Sequence, residues 1–211
     1  MAERRAQMVN TQLRERGIRD ERVLAAMGKV PREAFVAPQY AQAAYNDGPL
    51  PIGEGQTVSQ PYMVAAMVEA LEVQPTDRVL EVGTGTGYEA AVLGELAAEV
   101  WSIERHRELA DRAGHILAES GYGNVHVVCG DGSQGLPEYA PFDKIVVAAG
   151  APQAPPSLIA QLAEGGILAV PVGNRVEQQL QIVRKSGGAI STSQHVLCCF
   201  VPLVGVEGWQ P

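Results

Sequence analysis

The sequence predicts an α/β fold: a doubly wound, mostly parallel sheet of seven strands that ends in an antiparallel hairpin, with an N-terminal helical lid. Three observations support this fold class. From residue 78 onward, short apolar segments typical of strands alternate with helix-like segments. The first strand runs directly into the glycine-rich turn "GTGTG", and only Ser186-Gly187-Gly188 separates the last two strands. Alternation gives a parallel sheet with right-handed crossovers, whereas so short a connection permits only a hairpin.

The N-terminal part is predicted to be helical as far as a long loop. Residues 3–16 have helical periodicity and end at Gly17. Asp20 is the expected cap of a second helix, and Pro31 opens a short third segment. The glycines and prolines of "NDGPLPIGEGQTV", residues 46–58, predict a loop that is long enough to suggest a function.

The remaining elements follow in order after Pro61, which begins a helix with one apolar stripe. The predicted strands are 78–82, 99–103, 125–129, 143–150, 165–173, 178–185 and 195–205, and the predicted helices between them are 86–97, 106–119 and 156–163. We expect a single domain over residues 1–211. Residues 1–75 would form the helices and the lid and substrate loop, and residues 76–211 the nucleotide-binding sheet with its C-terminal hairpin.

Composition excludes several classes of function. The chain has 211 residues and a net charge of -8, which argues against bulk binding to nucleic acid or to an anionic membrane. No signal peptide and no membrane span is recognisable. Cys129, Cys198 and Cys199 lack metal-site spacing and suit a reducing compartment, and the four histidines are scattered, so no metal site is expected. We therefore expect a cytoplasmic monomer.

The glycine-rich turn should lie where a parallel sheet binds ligands, beyond the carboxyl ends of its strands. A dinucleotide fingerprint needs glycine at relative positions 1, 3 and 6. Gly83 and Gly85 comply, but Tyr88 occupies the last position and the third glycine is Gly87. The spacing is thus G-x-G-x-G, which counts against a nicotinamide dehydrogenase. Taken alone, the triplet also fits an ordinary tight turn.

Two further strand ends favour an adenosyl ligand. Glu104 follows the second strand at the position where a carboxylate accepts hydrogen bonds from ribose hydroxyls in dinucleotide folds. Asp131 follows the third strand between Gly130 and Gly132, where it can accept from an adenine amino group. The alternative for Glu104 is a solvated strand end. Together the three strand ends indicate an adenosyl ligand without a pyrophosphate.

The blocks "VLEVGTGTGYEAAVLGEL" and "VWSIER" resemble the class I S-adenosylmethionine-dependent methyltransferases. The blocks "GQTVSQPYMVAAMVEAL", "GDGSQGLPEYAPFDKIVV", "LAEGGILAVPVG" and "CFVPLVG" resemble the protein-L-isoaspartate O-methyltransferase family along nearly the whole chain. That resemblance implies methyl transfer from S-adenosyl-L-methionine to the α-carboxylate of L-isoaspartyl residues in damaged proteins. The methyl ester would then collapse to a succinimide, which starts repair.

The resemblance also implies roles for individual residues. Ser59 would be catalytic, and Thr57, Val58 and Gln60 would bind the substrate. The cofactor would be bound by Gly83, Gly85, Gly87, Glu104, Asp131, Gly132, Tyr62 and Gln178. Because a carboxylate is already ionised at neutral pH, the reaction needs no general base. Ser59 and the start of the helix at Pro61 could hold the anionic acceptor. The alternative for Ser59 is a helix cap alone.

The chain departs from the family pattern in places that bear on peptide preference. Glu54 occupies a variable loop position, and "DGSQGLP" lacks the bulky aromatic residues often found after aspartate-glycine. In the serine block, Val58 stands where isoleucine is commoner. A base methyltransferase acting on DNA or RNA is disfavoured because residues 148–152 read "AAGAP", without its characteristic motif. Two alternatives stay open, namely a related enzyme acting on a dedicated peptide and a non-catalytic S-adenosylmethionine-binding module.

Overall fold

The computed structural model describes residues 1–210, which form six α-helices and nine strands. The helices are α1 (Ala2–Gln7, continued by the π-helical stretch Met8–Arg14), α2 (Glu21–Lys29), α3 (Pro61–Leu71), α4 (Tyr88–Gly94), α5 (Arg107–Glu119) and α6 (Pro156–Ala160). The strands are β1 (Leu50–Gly53), β2 (Gln56–Val58), β3 (Arg78–Val82), β4 (Glu99–Glu104), β5 (Val125–Cys129), β6 (Phe142–Val147), β7 (Leu162–Gly173), β8 (Gln178–Ser186) and β9 (Ala189–Cys198).

The predicted fold class is confirmed. Seven strands form one sheet in the order β5-β4-β3-β6-β7-β8-β9. Strands β3 to β7 pair in parallel, whereas β8 pairs antiparallel with both β7 and β9. The strand order reverses between β3 and β6, where Val82 pairs with Val147. Ligands of doubly wound sheets bind beyond the carboxyl ends of the strands at such a reversal, so this end of the sheet is the place to look for a site.

The local sequence explains the central elements. In β3 and β6 nearly every residue is buried, as expected for parallel strands covered by helices on both faces. Helix α5 buries Leu109, Ala113 and Leu117, which recur at helical spacing on one face. The N-terminal helices share one apolar cluster with the sheet, in which Met8 and Leu13 join Val146. The first 75 residues therefore pack directly on the seven-stranded sheet.

The predicted last strand, 195–205, was wrong in its bounds. β9 begins at Ala189, and residues 200–204 leave the sheet to cross the carboxyl ends of the strands. Gly150 N–H donates to Val201 O at 2.8 Å, and Leu203 N–H donates to Gly150 O at 2.8 Å. β9 is an edge strand with little buried surface, so its polar residues carry no apolar alternation that could reveal it.

Other boundaries also differ from the prediction, among them the end of β6 at Val147 rather than at 150. The predicted loop 46–58 contains the hairpin of β1 and β2, whose turn holds Glu54 at φ 52°. Helices α4 and α6 are shorter than the predicted 86–97 and 156–163, and β7 begins at Leu162 directly after α6. Within residues 1–210, no helix is long and apolar enough to span a bilayer. The same residues contain no cluster of side chains that could hold a metal ion.

Candidate functional site

A cavity lies at the carboxyl ends of β3, β4 and β6, where the strand order reverses. Ligands of doubly wound sheets bind at this place. Its floor is formed by the ends of the strands and by the glycine turn, and residues 201–204 form a wall. The lining residues that come from strand ends and the loops after them are Val82, Gly83, Gly85, Ile103, Glu104, Arg105, His106, Gly132, Ala148 and Ala149.

The glycines of the turn have two different structural roles. Gly83 and Gly85 line the cavity with φ values of 99° and 54°, a left-handed backbone that favours glycine. Gly87 does not line the cavity. It precedes α4 at φ 85°, and a Cβ there would lie 3.1 Å from a methyl carbon of Leu117 in α5. Gly87 therefore allows α4 and α5 to pack closely, which places Tyr88 in the core rather than against a ligand.

Glu104 forms part of the cavity floor and is held in place by hydrogen bonds. The side chain is nearly buried, with 5% of the residue exposed. Its Oε2 accepts a hydrogen bond from Gly85 N–H at 3.0 Å, and its Oε1 accepts from His106 N–H at 2.9 Å. Each carboxylate oxygen has a second lone pair. Glu104 thus ties the glycine turn to the start of α5 and can still accept from two hydroxyl groups of a ligand.

Beneath the turn lies a buried carboxyl pair. Glu81 accepts a hydrogen bond from Ser102 Oγ, which also bonds Thr84 in the glycine turn. Glu81 Oε1 and Glu89 Oε1 have no hydrogen-bond partner within residues 1–210. Burial raises the pKa of Glu81 well above its ordinary value, and the nearby Glu89 raises it further. Burial likewise raises the pKa of Glu89. At neutral pH the pair therefore retains a proton.

We expect Glu89→Gln to stabilise the protein progressively as pH rises. Above the ordinary glutamate pKa of 4.5, the unfolded chain ionises at this position while the folded chain keeps its proton. Wild-type stability therefore falls between 4.5 and the raised folded pKa, and glutamine, which mimics the protonated acid, avoids that loss. The gain in Tm over wild type should be larger by roughly 3 °C or more at about pH 8 than at about pH 5. The exposed Glu138→Gln is the matched control. A gain that does not depend on pH would contradict the prediction.

The hairpin of β1 and β2 closes over the cavity from the N-terminal side. Ile52, Gln56 and Thr57 reach the cavity. Two contacts hold the hairpin down on α5: Glu54 Oε2 lies 3.5 Å from His106 Nδ1, and Arg112 Nη2 donates to Ile52 O at 3.3 Å. The long loop predicted from glycines and prolines is therefore a flap, held by side chains on the opposite side of the site.

A second, larger groove adjoins the cavity. The two share four wall residues: Thr57, Ala148, Val201 and Pro202. Ser59, Gln60 and Met63 line the groove on the side of α3, and residues 197–202 line it on the side of the C-terminal segment. A small-molecule cavity and an open groove that meet at one wall are suited to a reaction between a bound donor and an extended acceptor.

Ser59 is not the cap of α3. The N-cap position of α3 is occupied by Gln60, and no side chain makes a capping hydrogen bond there. The Ser59 carbonyl instead accepts a hydrogen bond from Arg32 Nη2 at 2.7 Å. The alternative in which Ser59 serves only as a helix cap is therefore wrong. Ser59 is instead one of the residues that line the groove.

Asp131 lies behind the cavity wall rather than in it. Its Oδ1 accepts from Ser133 N–H at 3.0 Å and from Ser133 Oγ at 2.7 Å, and its Oδ2 accepts from Val206 N–H at 2.9 Å. Partial burial on its own raises the pKa of Asp131, but the hydrogen bonds from Val206 and Ser133 lower it to below its ordinary value. The ionised carboxylate fastens the C-terminal segment beside Gly132, which does line the cavity.

Three further predicted site residues do not line the cavity or the groove. Gln178 is buried, and its amide donates to Asn174 O at 2.5 Å and accepts from Phe200 N–H at 2.7 Å. Tyr62 packs under the Arg16 guanidinium, which lies 3.8 Å from the ring centroid. Val58 is buried in the core cluster. Gln178 thus supports the groove from behind through Phe200, whereas the Tyr62 contact lies outside both the cavity and the groove.

The sequence analysis did not predict several cavity residues that lie outside the recognised motifs. Ala148 and Ala149 follow β6, so the rule that strand ends meet at one edge could have found them. His106 could have been found in the same way, after β4. The wall from Val201 to Val204 and the flap residue Ile52 have no local signal, because each reaches the cavity only through tertiary packing.

Comparison with known proteins agrees with this geometry. Residues 3–208 match the family described as protein-L-isoaspartate(D-aspartate) O-methyltransferase. A protein-L-isoaspartate O-methyltransferase of Koribacter versatilis is 56% identical over 207 residues, covering 98% of this chain and 93% of the relative. One of Methanoculleus marisnigri is 55% identical over 206 residues, covering 98% of this chain and 94% of the relative.

Two solved structures share the fold over most of the chain. One named protein-L-isoaspartate O-methyltransferase superposes with a TM-score of 0.87 at 31% identity, covering 97% of this chain and 67% of the other. A Plasmodium falciparum protein of the same name, in complex with S-adenosyl-L-homocysteine, superposes with a TM-score of 0.82 at 26% identity, covering 93% and 96%. The family indicated by the sequence blocks is confirmed: this chain belongs to the protein-L-isoaspartate O-methyltransferase family.

Proposed function

We propose that this protein transfers a methyl group from S-adenosyl-L-methionine to the α-carboxylate of L-isoaspartyl residues in damaged proteins. The observation that carries the proposal is the shared wall between the nucleotide cavity and the open groove beside Ser59. The groove extends from α3 to the C-terminal segment beside the cavity, which leaves room for an acceptor that is part of a polypeptide. Family membership supplies the reaction class that this geometry accommodates.

The cavity residues fit an adenosyl cofactor. Glu104 would accept hydrogen bonds from the two ribose hydroxyls, and the backbone at Gly83 and Gly85 permits close approach. Ile103 and Gly132 offer an apolar wall for the adenine ring. Gly87, Asp131 and Gln178 would support the site from behind, through the contacts described above. When bound, S-adenosyl-L-methionine supplies an activated methyl group on a positively charged sulfur.

The groove residues would hold and orient the acceptor. An isoaspartyl carboxylate is ionised at neutral pH, so the chain need not remove a proton. Thr57, Ser59 and Gln60 would bind the substrate where the groove meets the cavity, with Ser59 Oγ donating to the carboxylate. The N–H groups in the first turn of α3 favour an anion at the same point. Positioning of this kind accounts for ~7–11 kcal/mol of barrier lowering in well-oriented reactions.

After transfer, the methylated peptide leaves the groove. The neighbouring backbone amide nitrogen then attacks the ester carbonyl and displaces methanol, which gives a succinimide without an enzyme. Hydrolysis of the succinimide returns part of the material to normal aspartate. We propose that residues 1–211 act as one domain, in which residues 1–75 supply the flap and half of the groove. This assignment rests on the apolar cluster that the two halves share.

Labelled methyl transfer tests the function. The protein, S-adenosyl-L-methionine with a labelled methyl group and a synthetic isoaspartyl peptide should give a methyl ester that releases labelled methanol in mild base. DNA, RNA and a free amino acid mixture serve as competing acceptors in parallel reactions. Transfer to nucleic acid instead of the peptide, or no transfer at all, would refute the proposal.

We expect Glu104→Ala to weaken S-adenosyl-L-homocysteine binding by roughly 1.5–3 kcal/mol, which is the range for hydrogen bonds to a charged group. The change removes the proposed ribose acceptor and releases Gly85 N–H from its bond. Calorimetric titration measures the effect. Glu99→Ala, at the opposite end of β4 and outside the cavity, is the matched control. An unchanged Kd for Glu104→Ala would contradict a role for Glu104 in binding the ribose.

We also propose that the protein works as a monomer in the cytoplasm on protein substrates and binds neither nucleic acid nor membranes. The net charge of -8 disfavours polyanionic partners. Cys129, Cys198 and Cys199 are free thiols, which suits a reducing compartment. Light scattering at micromolar concentration tests the oligomeric state.

A further inference from the structure

Arg32 is a fully buried arginine in the turn that follows α2, with 0% of the residue exposed. Its Nε donates to Ala44 O at 2.8 Å, and its Nη2 donates to Ser59 O at 2.7 Å. Its Nη1 has no hydrogen-bond partner within residues 1–210. The guanidinium lies 4.7 Å from the centroid of the Tyr88 ring. Its neighbours are therefore two carbonyl groups and an aromatic face.

No carboxylate within residues 1–210 pairs with Arg32. Glu33, the adjacent acid, is engaged by the Tyr45 hydroxyl. Arginine keeps its charge in proteins, and an isolated buried charge is costly unless a counter-charge compensates it. Burying Arg32 therefore costs stability, because no side chain of the described residues supplies a counter-ion. A ligand of negative charge would supply one.

The position of Arg32 indicates which ligand that is. Its bond to the Ser59 carbonyl places the cation directly behind the residue that lines the acceptor groove. The other arginine at the groove, Arg175, is exposed, donates to Gln210 O at 3.0 Å and faces the Trp209 ring. Salt screens an exposed charge, whereas a buried charge keeps its effect. Arg32 is therefore the cation best placed to act on an anion held at Ser59.

We propose that Arg32 is a positioning residue that holds the Ser59 backbone in place and provides the counter-charge for the carboxylate of the methyl acceptor. This inference rests on the proposed function. It assigns Arg32 no contact with the reacting atoms, since the guanidinium acts through the Ser59 backbone and through its electric field. A purely structural tether would hold the loop equally well for a charged and for an uncharged acceptor.

The test compares two acceptor peptides that differ only in charge. One carries L-isoaspartate, and the other carries the isosteric α-carboxamide, which is neutral. Their affinities are measured by calorimetry in the presence of S-adenosyl-L-homocysteine. We expect wild type to prefer the acid by about tenfold or more, Arg32→Met to lose that preference, and Arg32→Lys to retain most of it. Arg22→Met is the matched control, because Arg22 Nη1 also ties down a carbonyl, that of Val73 at 2.8 Å, far from the groove.

The outcomes separate the inference from the function on which it rests. If wild type neither binds nor methylates the isoaspartyl peptide, the proposed function fails. If wild type methylates the peptide but Arg32→Met keeps the full acid preference, the inference fails. If Arg32→Met does not fold, the salt dependence of the wild-type protein decides. A preference for the acid peptide that persists at about 0.5 M salt supports a buried cation. A preference that disappears at that salt concentration points to an exposed cation such as Arg175 and overturns the inference.

Discussion

An L-isoaspartyl peptide should be methylated about a hundredfold faster than its L-aspartyl twin, since misplacing a reacting group by about 1 Å costs this much. In the isoaspartyl form the main chain runs through the side-chain carbonyl, so the free carboxylate sits on the α-carbon and the backbone has an extra methylene. The groove and the nucleotide cavity meet only at the wall of Thr57, Ala148, Val201 and Pro202, so one position of the carboxylate is productive.

The measurement is kcat/KM for each peptide under identical conditions, with label incorporation as the readout. Comparable rates on the isoaspartyl and aspartyl forms would show that the groove does not select the position of the carboxylate, and would remove isoaspartate repair from consideration.

Ser59→Ala should lower kcat by about 10²–10³ while leaving the affinity for S-adenosyl-L-homocysteine nearly unchanged. A single positioned donor contributes roughly 2.7–4 kcal/mol in comparable oxyanion sites. The cap of α3 is Gln60, so removing the Ser59 hydroxyl should cost little stability. Loss of an interaction made mainly in the transition state lowers kcat and kcat/KM together. Single-turnover methylation and the melting temperature, measured on one preparation, separate these effects.

Asp20→Ala is the matched control for that experiment. Asp20 does cap a helix, because its carboxylate accepts from Arg22 N–H at 2.8 Å at the start of α2. Its removal should cost about 0.5–2 kcal/mol of stability and leave turnover of the folded enzyme intact. A Ser59→Ala variant that behaves like Asp20→Ala, destabilised but with a near-normal single-turnover rate, would refute a catalytic role for Ser59.

Much of the fold was predictable because its signals are local. The strands from β3 to β7 are short apolar segments between helical ones, and the Ser186-Gly187-Gly188 connection leaves room only for a hairpin. The rule that ligands bind where strand order reverses then placed Gly83, Gly85 and Glu104 at one edge, and the structure puts all three in the cavity. These inferences need only spacing along the chain.

Only the tertiary structure decided which side chains complete the site. Gly87 belongs to the same triplet as Gly83 and Gly85, yet it faces Leu117 of α5 and not the cavity. Residues 201–204 were predicted to belong to a strand but form a wall of the cavity, because they bond across to Gly150.

Arg32 shows most clearly what could not be predicted from the sequence. In sequence it is one charged residue after a proline, which ordinarily means an exposed side chain. In the folded chain it is buried and bonded to a carbonyl 27 positions away, at the acceptor groove. The sequence alone determined the order of strands and helices and the nucleotide edge of the sheet, since periodicity and turn chemistry act over a few residues. The acceptor side was decided by tertiary structure, since its walls and charges come from segments that meet only after folding.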